Sequence, residues 1–307
     1  MEIQKNVSLK GYTSFKIGGP AKYFVEVNNI EEVIETISWA RKNNYKTLFI
    51  GGGSNMLISD KGFDGLAVRL NLQQLSFESN KVIAGAGIIL AFLLNKTLEN
   101  GLTGLEFAAG IPGTVGGAIR GNAGTYGLAM SDVVKKIKYL DLIHNELKEM
   151  SVADANFVYR HSIFKENKNL VLEVELVLER GDVEEARKLI KERLQHRHDT
   201  QPNEPSAGCI FKNISFDEVD LDDLRKRNID VDKFANTKKI PAAYLIDKAD
   251  LKGKTIGGAQ ISEKHGNYII NTGQATAEQV IMLISFIKQQ IRDKYGVQLQ
   301  EEVHIVL

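Results

Sequence analysis

The stretch Thr47-Leu48-Phe49-Ile50-Gly51-Gly52-Gly53-Ser54-Asn55 runs from an apolar segment that is typical of a strand directly into three glycines. A second glycine-dense segment follows later, Gly110-Ile111-Pro112-Gly113-Thr114-Val115-Gly116-Gly117-Ala118, and Asn122-Ala123-Gly124 comes shortly after it. Glycine permits positive φ and has no Cβ, so successive backbone N–H groups can approach one anion closely. The pair of loops predicts a phosphate-bearing ligand, with a nucleotide or dinucleotide as the first candidate. Two tight turns around a sheet are the alternative.

The common nucleotide-binding motifs are absent from the sequence. No Gly-x-Gly-x-x-Gly stands between a predicted strand and a predicted helix, which argues against a Rossmann dinucleotide site. Gly253-Lys254-Thr255 resembles the end of a phosphate-binding loop, but Lys248 stands where that motif requires glycine. Neither common motif is therefore supported, although the two glycine loops taken together with Asn122-Ala123-Gly124 favour ligand binding.

Composition narrows the class of protein. The 307 residues contain 39 Lys and Arg against 39 Asp and Glu, so the net charge is zero. Nucleic-acid and membrane-surface proteins usually carry a basic excess, and no run reaches the roughly 20 apolar residues of a membrane span. The N-terminal residues lack a secretory apolar region, and the single cysteine, Cys209, excludes an intrachain disulfide. We expect a cytoplasmic monomer with neither a nucleic-acid nor a membrane partner.

Hydrophobic periodicity and capping residues predict the order of the elements. Predicted helices span 29–43, 88–100, 182–197, 242–249 and 276–295, and predicted strands span 47–50, 65–69, 82–87, 137–142, 170–178, 209–212, 255–262 and 268–271. The polar, proline-containing segment 198–205 is the best predicted boundary in the chain. The closing segment 300–306 alternates and is able to return to an earlier sheet.

Three residues are candidates for chemistry. Arg160 lies among aromatic residues in Tyr159–Phe164, where its planar fork suits a carboxylate or phosphate; a surface arginine stacked on Tyr159 is the alternative. Cys209 can act as a proton donor or, beside a base, as a nucleophile, and a small buried hydrophobe is the alternative. One of Glu301 and Glu302 should point inward on the final strand. No metal site is predicted, because His196 and His198 splay on a helix and no further ligands complete a set.

These segments together resemble the UDP-N-acetylenolpyruvoylglucosamine reductase (MurB) family. The resemblance extends in order through 13–21, 51–57, 110–118, 122–127, 159–164, 205–213, 243–260 and 302–303. The short path from Arg160 to the last third of the chain is similar to the shorter family type, which lacks an extra substrate loop.

The resemblance implies the fold. It implies an α+β, three-domain FAD-binding fold of the MurB and vanillyl-alcohol-oxidase-like type, with two FAD-binding α/β domains and one substrate-binding α+β domain. The predicted divisions are 1–69 with 300–307, 70–197, and 198–299.

The resemblance also implies the reaction. FAD is bound without a covalent link, NADPH is the co-substrate, and a UDP-sugar is the substrate. Hydride passes from NADPH to the flavin and on to UDP-N-acetylglucosamine enolpyruvate, and a protein acid protonates the adjacent carbon to give UDP-N-acetylmuramate, a peptidoglycan precursor. The acid is Cys209, where the family usually has serine. Arg160 lies at the substrate carboxylate and Glu302 helps to polarise it.

Further residues follow from the same resemblance. Implied substrate contacts are Tyr159, Lys212, Asn213, Gln201 and His265. Implied cofactor contacts are Gly51, Gly52, Gly53, Ser54, Asn55, Met56, Gly110, Gly113, Thr114, Gly117, Ala118, Asn122, Ala123 and Gly124. Besides Cys209, the chain departs from the family at Arg120-Gly121, where an apolar residue and methionine are common, and at His304, where arginine is usual.

Another flavin oxidoreductase of the same superfamily, acting on a sugar or a hydroxy acid, is the alternative function. Such enzymes often attach flavin covalently through histidine or cysteine near the glycine loops. No histidine or cysteine occurs between residues 1 and 143, which favours the reductase.

Overall fold

The computed structural model describes residues 2–167 and 169–307, which form two compact units. Unit 1 comprises Met1–Val7, Ala21–Gly52 and Asp64–Asp199, and unit 2 comprises Ser8–Pro20, Gly53–Phe63 and Thr200–Leu307. The predicted boundary at 69/70 falls inside unit 1, whereas the predicted boundary at 197/198 lies close to the change of unit at Thr200. The three-domain division with its residue limits stays a prediction.

The described residues contain seven α-helices and many short strands. The helices are α1 (Ile30–Lys42), α2 (Leu90–Glu99), α3 (Val115–Gly121), α4 (Val183–Thr200), α5 (Leu221–Lys226), α6 (Ala242–Lys248) and α7 (Ala277–Tyr295). The strands are β1 (Gln4–Ser8), β2 (Pro20–Val27), β3 (Thr47–Ile50), β4 (Met56–Ile58), β5 (Phe63–Leu70), β6 (Leu75–Glu78), β7 (Lys81–Gly85), β8 (Leu102–Thr103), β9 (Gly124–Thr125), β10 (Leu128–Ala129), β11 (Val134–Asp141), β12 (Glu146–Ser151), β13 (Asn169–Val177), β14 (Glu179–Arg180), β15 (Ser206–Cys209), β16 (Ile214–Ser215), β17 (Lys239–Ile240), β18 (Thr255–Ile256), β19 (Ala259–Ile261), β20 (Tyr268–Asn271) and β21 (His304–Val306). No helix among the described residues is long and apolar enough to cross a membrane.

Unit 1 is built on two sheets that share one core. A four-stranded sheet has the order β1-β2-β5-β3, with β3 and β5 parallel, and an antiparallel five-stranded sheet has the order β12-β11-β13-β7-β6. Val25 and Val68 from the first sheet and Val82 and Val174 from the second belong to the same buried cluster. Because the two sheets share this core, the residues before and after residue 69 belong to one compact unit.

Helix α1 of unit 1 begins at the predicted capping residue. The Asn29 side chain accepts a hydrogen bond from the Glu32 backbone N–H at 2.8 Å, and the Glu32 carboxylate accepts one from the Asn28 N–H at 2.7 Å. The first bond satisfies a donor that the first turn of the helix otherwise leaves free, and the second ties the residue before the cap to that turn. The helix ends before strand β3, which leads into the first glycine loop.

Unit 2 combines a small antiparallel sheet with α6 and α7. The sheet order is β15-β20-β19-β18, and β21 pairs in parallel with β4 in a separate two-stranded sheet. The prediction that the closing segment returns to an earlier strand is therefore confirmed. Helix α7 buries one apolar face in the core of this unit, formed by Val280, Leu283, Ile284, Ile287 and Ile291.

The ends of α7 follow from its sequence. The Thr276 hydroxyl accepts a hydrogen bond from the Gln279 N–H at 3.2 Å, and the Gln279 side chain accepts one from the Thr276 N–H at the same distance. Gly296 ends the helix with φ +70°, a left-handed conformation that glycine adopts without strain.

Thr276→Ala is expected to lower the free energy of unfolding by about 1 kcal/mol, because it leaves an N–H group of the first turn without its acceptor. Urea denaturation of the full chain measures this effect. Thr276→Ser keeps a hydroxyl at the cap and should unfold at nearly the wild-type urea concentration. Equal losses in both variants would contradict a capping role.

Several predicted elements differ from the structure in their bounds or their pairing. The predicted strand 255–262 is a hairpin of β18 and β19, because Gly257 has φ +56° and Gly258 completes the turn. The predicted strand 209–212 ends at Cys209 and starts earlier, at Ser206. The helix predicted to end at 197 continues to Thr200, so the predicted linker 198–205 begins with helical residues.

Candidate active site

The two glycine loops meet inside unit 1. A Cβ on Gly51 would lie 2.5 Å from the Thr114 Oγ1, and a Cβ on Gly52 would lie 2.6 Å from the Gly113 Cα. Real Cβ atoms essentially never come within 3.0 Å of another heavy atom, so the contact requires glycine at both positions of the first loop. Residues from two distant stretches of sequence are thus brought together as predicted.

The residues of this contact fit a phosphate-bearing cofactor. The Thr114 Oγ1 is buried and has no hydrogen-bond partner among the described residues. A buried hydroxyl without a partner costs free energy, which a ligand oxygen or hydroxyl would offset. The glycines on either side remove side chains that would otherwise fill the space. FAD, which carries phosphates and many hydroxyl groups, suits this lining.

The second loop donates fewer N–H groups than its sequence suggests. The N–H groups of Val115 and Gly116 donate to the carbonyls of Ile88 and Ala86, both at 2.9 Å, and the Ala118 N–H donates to Thr114. These three N–H groups are therefore engaged within the chain and are not available to an anion. Here the glycines chiefly allow close packing, since a Cβ on Gly116 would lie 2.8 Å from the Ala86 Cβ.

Other predicted cofactor positions of unit 1 also have structural roles. The N–H groups of Asn122 and Ala123 donate to Ile119 and Ala118. Gly110 has φ +71°, and its carbonyl accepts a hydrogen bond from the Arg197 Nη1 at 3.0 Å. Gly117 is exposed, so it remains accessible to a ligand.

Arg160 lies at the tip of a two-residue hairpin in unit 1. Val158 and His161 exchange backbone hydrogen bonds of 3.2 and 3.1 Å, which leaves Tyr159 and Arg160 in the turn. Arg160 has φ +57°, an unusual conformation for a residue other than glycine. Its Nη1 donates to the Gly124 carbonyl at 2.9 Å, and its guanidinium lies 5.4 Å from the Tyr159 ring centroid. Arg160 therefore lies against Tyr159, as the alternative interpretation expects, and also contacts Gly124 of the predicted cofactor segment.

Asn122 holds this hairpin in place. Its Nδ2 donates to the Val158 carbonyl at 3.1 Å, and its Oδ1 accepts from the Ser131 N–H at 3.1 Å. Asn122 itself has φ +43° at the end of α3. Its side chain therefore supports the arginine-bearing turn from within the glycine-rich segment.

Cys209 and Glu302 belong to segments of unit 2 that adjoin each other. Segment 210–212 pairs with segment 300–302: the Glu302 N–H donates to the Ile210 carbonyl at 2.7 Å, and the Lys212 N–H donates to the Gln300 carbonyl at 2.9 Å. Cys209 directly precedes this pairing. The register between β15 and β20 is irregular between Ser206 and Cys209, and such irregularities change the direction of side chains near functional sites.

The two adjacent glutamates have different surroundings. Glu301 forms an ion pair with Lys288 at 2.6 Å. The Glu302 carbonyl accepts a hydrogen bond from the Asn55 Nδ2 at 3.1 Å, and the His304 N–H donates to the Asn55 carbonyl at 3.0 Å. Asn55, predicted as a cofactor contact, thus fixes the backbone that carries Glu302.

His265 lies close to the Cys209 strand. Its ring meets Tyr268 edge-on with centroids 4.8 Å apart, and Tyr268 is the register partner of Cys209. Burial lowers the pKa of His265, so the ring favours the neutral form. Its Nδ1 is buried with no hydrogen-bond partner in the described part of the chain, which supports the predicted ligand contact.

The remaining predicted contacts are dispersed. The Asn213 side chain accepts from the Ala242 N–H at 3.3 Å at the start of α6. Gln201 follows α4 and is partly exposed, Ser54 is partly exposed, and Met56 begins β4 opposite His304.

Sequence reasoning missed two supporting residues. Asn267 is buried, and its side chain donates to the Phe211 carbonyl at 2.8 Å and accepts from the Phe211 N–H at 2.9 Å. The Ser14 hydroxyl donates to the Ser206 carbonyl at 2.7 Å. Ser14 lies in segment 13–21, which carried part of the resemblance, whereas no local signal marks Asn267.

Two protein families match separate parts of the chain. Residues 21–145 match the family described as "FAD binding domain", and residues 201–306 match "UDP-N-acetylenolpyruvoylglucosamine reductase, C-terminal domain". Similar curated proteins carry the name UDP-N-acetylenolpyruvoylglucosamine reductase. The relative from Caldanaerobacter subterraneus subsp. tengcongensis is 40% identical over 310 residues, covering 99% of this chain and 94% of its own. The relative from Chlamydia pneumoniae is 40% identical over 306 residues, covering 99% and 92%.

A solved structure supports the fold. The enzyme of this name (MurB) from Thermus caldophilus superposes with a TM-score of 0.79 at 30% sequence identity, and all of both chains is covered. The predicted α+β FAD-binding fold class is therefore confirmed.

Proposed function

Because the chain belongs to the UDP-N-acetylenolpyruvoylglucosamine reductase family, we propose that Arg160, Cys209 and Glu302 form its catalytic group. The chain is an FAD-dependent oxidoreductase that uses NADPH to reduce UDP-N-acetylglucosamine enolpyruvate to UDP-N-acetylmuramate, a step of peptidoglycan precursor synthesis. The alternative of an oxidase from the same superfamily is thereby set aside. The roles of individual residues are the subject of the proposal.

The roles proposed for Cys209 and Glu302 rest on one structural observation. The backbone pairing of 210–212 with 300–302 joins the segment that follows Cys209 to the segment that carries Glu302, although the two are far apart in sequence. An acid next to a carboxylate on rigid backbone suits the protonation of a carbon atom.

Each residue has a distinct task. FAD, when bound, supplies the two-electron transfer from NADPH to the enolpyruvyl double bond. Negative charge then develops toward the substrate carboxylate, and the permanently charged Arg160 fork stabilises it. Cys209 gives its proton to the carbon next to that carboxylate and regains one from solvent. Glu302 orients and polarises this part of the substrate.

The binding roles are divided between the units. In unit 1 the contact of Gly51 and Gly52 with Gly113 and Thr114 holds FAD, and Tyr159 contacts substrate beside Arg160. In unit 2 His265, Lys212, Asn213 and Gln201 bind the UDP-sugar. A neutral imidazole with a free Nδ1 accepts a hydrogen bond from a ligand hydroxyl or amide. We further infer a monomeric cytoplasmic enzyme, since NADPH and nucleotide sugars are supplied there.

Stopped-flow absorbance on the full chain tests the function. NADPH should bleach the flavin under anaerobic conditions, and UDP-N-acetylglucosamine enolpyruvate should then restore the oxidised spectrum without oxygen. UDP-N-acetylglucosamine, which lacks the enolpyruvyl group, is the matched control and should leave the spectrum bleached. A colourless protein, or recovery by air alone, would contradict the function.

A further inference from the structure

Helix α3 places Arg120 between two segments assigned to the cofactor. The helix starts directly after Thr114 and ends at Asn122, and its buried residues are Val115, Ala118 and Ile119. Arg120 is only partly exposed. Because helical residues three and four apart are neighbours, Arg120 shares a face with Gly116 and Gly117.

The backbone of Arg120 is fixed while its charge has no counterpart. The Ser162 hydroxyl, which is fully buried, donates to the Arg120 carbonyl at 2.8 Å. The guanidinium makes no hydrogen bond or ion pair with any described residue. Burial lowers the pKa of Arg120, and no carboxylate opposes this effect. The nearby Asp132, in a turn that packs against α3, accepts from the Ala129 N–H at 2.7 Å.

A second arginine in the same part of unit 1 also has no carboxylate partner within the described chain. The Arg193 guanidinium lies 4.6 Å from the ring centroid of Tyr126, in the hairpin turn that follows Gly124. Its Nη1 is buried without an acceptor. Arg120 and Arg193 thus both lack a carboxylate partner among the described residues.

Leaving a partly buried cation unpaired costs free energy in the ligand-free chain. A structural arginine commonly avoids this cost by pairing with a carboxylate, and Arg120 has no such partner among the described residues. An anionic ligand would offset the cost. Thr114, the residue directly before α3, also has a buried Oγ1 without a hydrogen-bond partner among the described residues.

We propose that Arg120 binds a phosphate group of a nucleoside diphosphate, whose negative charge replaces the missing carboxylate. The inference rests on the proposed function, because FAD, NADPH and the UDP-sugar all contain a diphosphate. The guanidinium fork presents paired N–H donors that match phosphate oxygens.

Binding measurements on the full-length Arg120→Met variant test the proposal. Dissociation constants are measured for FAD by fluorescence of flavin-depleted protein, and for UDP-N-acetylglucosamine enolpyruvate and NADP⁺ by perturbation of the flavin spectrum. We expect one constant to rise about 10- to 100-fold, the effect of losing a charged hydrogen bond. Arg120→Lys should recover part of the affinity. Arg187→Met, which removes an equal charge from an exposed position of α4, should bind like wild type.

Thermal unfolding separates ligand binding from a structural role. Ligand-free Arg120→Met should unfold at a higher temperature than wild type, because methionine fills the site without a buried charge.

The affected constant identifies the source of the phosphate, whether FAD, sugar nucleotide or NADPH. Three unchanged dissociation constants would overturn the role of Arg120, and so would weaker binding together with a lower unfolding temperature. Neither result would affect the proposed function. If wild type binds none of the three ligands, both this inference and the proposed function fail.

Discussion

Replacing Cys209 by alanine is expected to slow flavin reoxidation by UDP-N-acetylglucosamine enolpyruvate by about 100- to 10,000-fold, the usual loss when a general acid is removed. Flavin reduction by NADPH should stay unchanged, because it needs no proton from this residue. Rapid-mixing experiments measure the two half-reactions separately. Slow flavin reoxidation together with unchanged flavin reduction would indicate that Cys209 is a proton donor.

Cys209→Ser is the matched control, since a hydroxyl replaces the thiol at the same atom position. We expect substantial turnover in this variant, together with resistance to thiol reagents that inactivate wild type. Both variants keep the backbone pairing of 210–212 with 300–302, which uses no Cys209 side-chain atom. Equal reoxidation rates in Cys209→Ala and wild type would remove Cys209 from the mechanism.

Gly52→Ala is expected to weaken FAD binding roughly 100-fold. The new Cβ would lie 2.6 Å from the Gly113 Cα, and because this neighbour is a backbone atom, one glycine loop must shift. Overpacking of this kind costs up to about 3 kcal/mol, which corresponds to roughly a hundredfold in a dissociation constant. Flavin content after purification and an FAD titration measure the effect.

Gly11→Ala is the control for this substitution. No atom lies within 4 Å of a Cβ at Gly11, and its φ is not positive. It should keep wild-type flavin content. A Gly52→Ala protein that purifies fully yellow and binds FAD with unchanged affinity would show that the loop contact is not required for the cofactor.

Local signals in the sequence predicted local structure well. Asn29 and Thr276 cap their helices as expected, and Gly296 ends α7, because capping depends on residues within one turn. The sequence predicts one strand over 255–262, because the residues on both sides of Gly257 have similar β character. A turn built by two glycines inside such a run changes the pairing but not the hydrophobic pattern.

Long-range contacts were harder to predict. Nothing in the spacing of Cys209 and Glu302 shows that their segments pair, and Asn267, whose amide holds Phe211, has no local signature. The use of the Val115 and Gly116 N–H groups by Ile88 and Ala86 also depends on tertiary packing. The loops could therefore be identified from glycine alone, while the donors that remain available to a ligand could not.

The bond from the Asn55 side chain to the Glu302 carbonyl joins residues 247 positions apart. During synthesis the ribosome adds roughly 5 to 20 residues per second, so Asn55 waits about 10 to 50 s for this partner. Strand β4 likewise stays without β21 until His304–Val306 emerge. A nascent chain therefore has its glycine loops long before it has a complete proton-donor site. Ribosome-stalled chains that stop short of residue 300 should reach that stage and go no further.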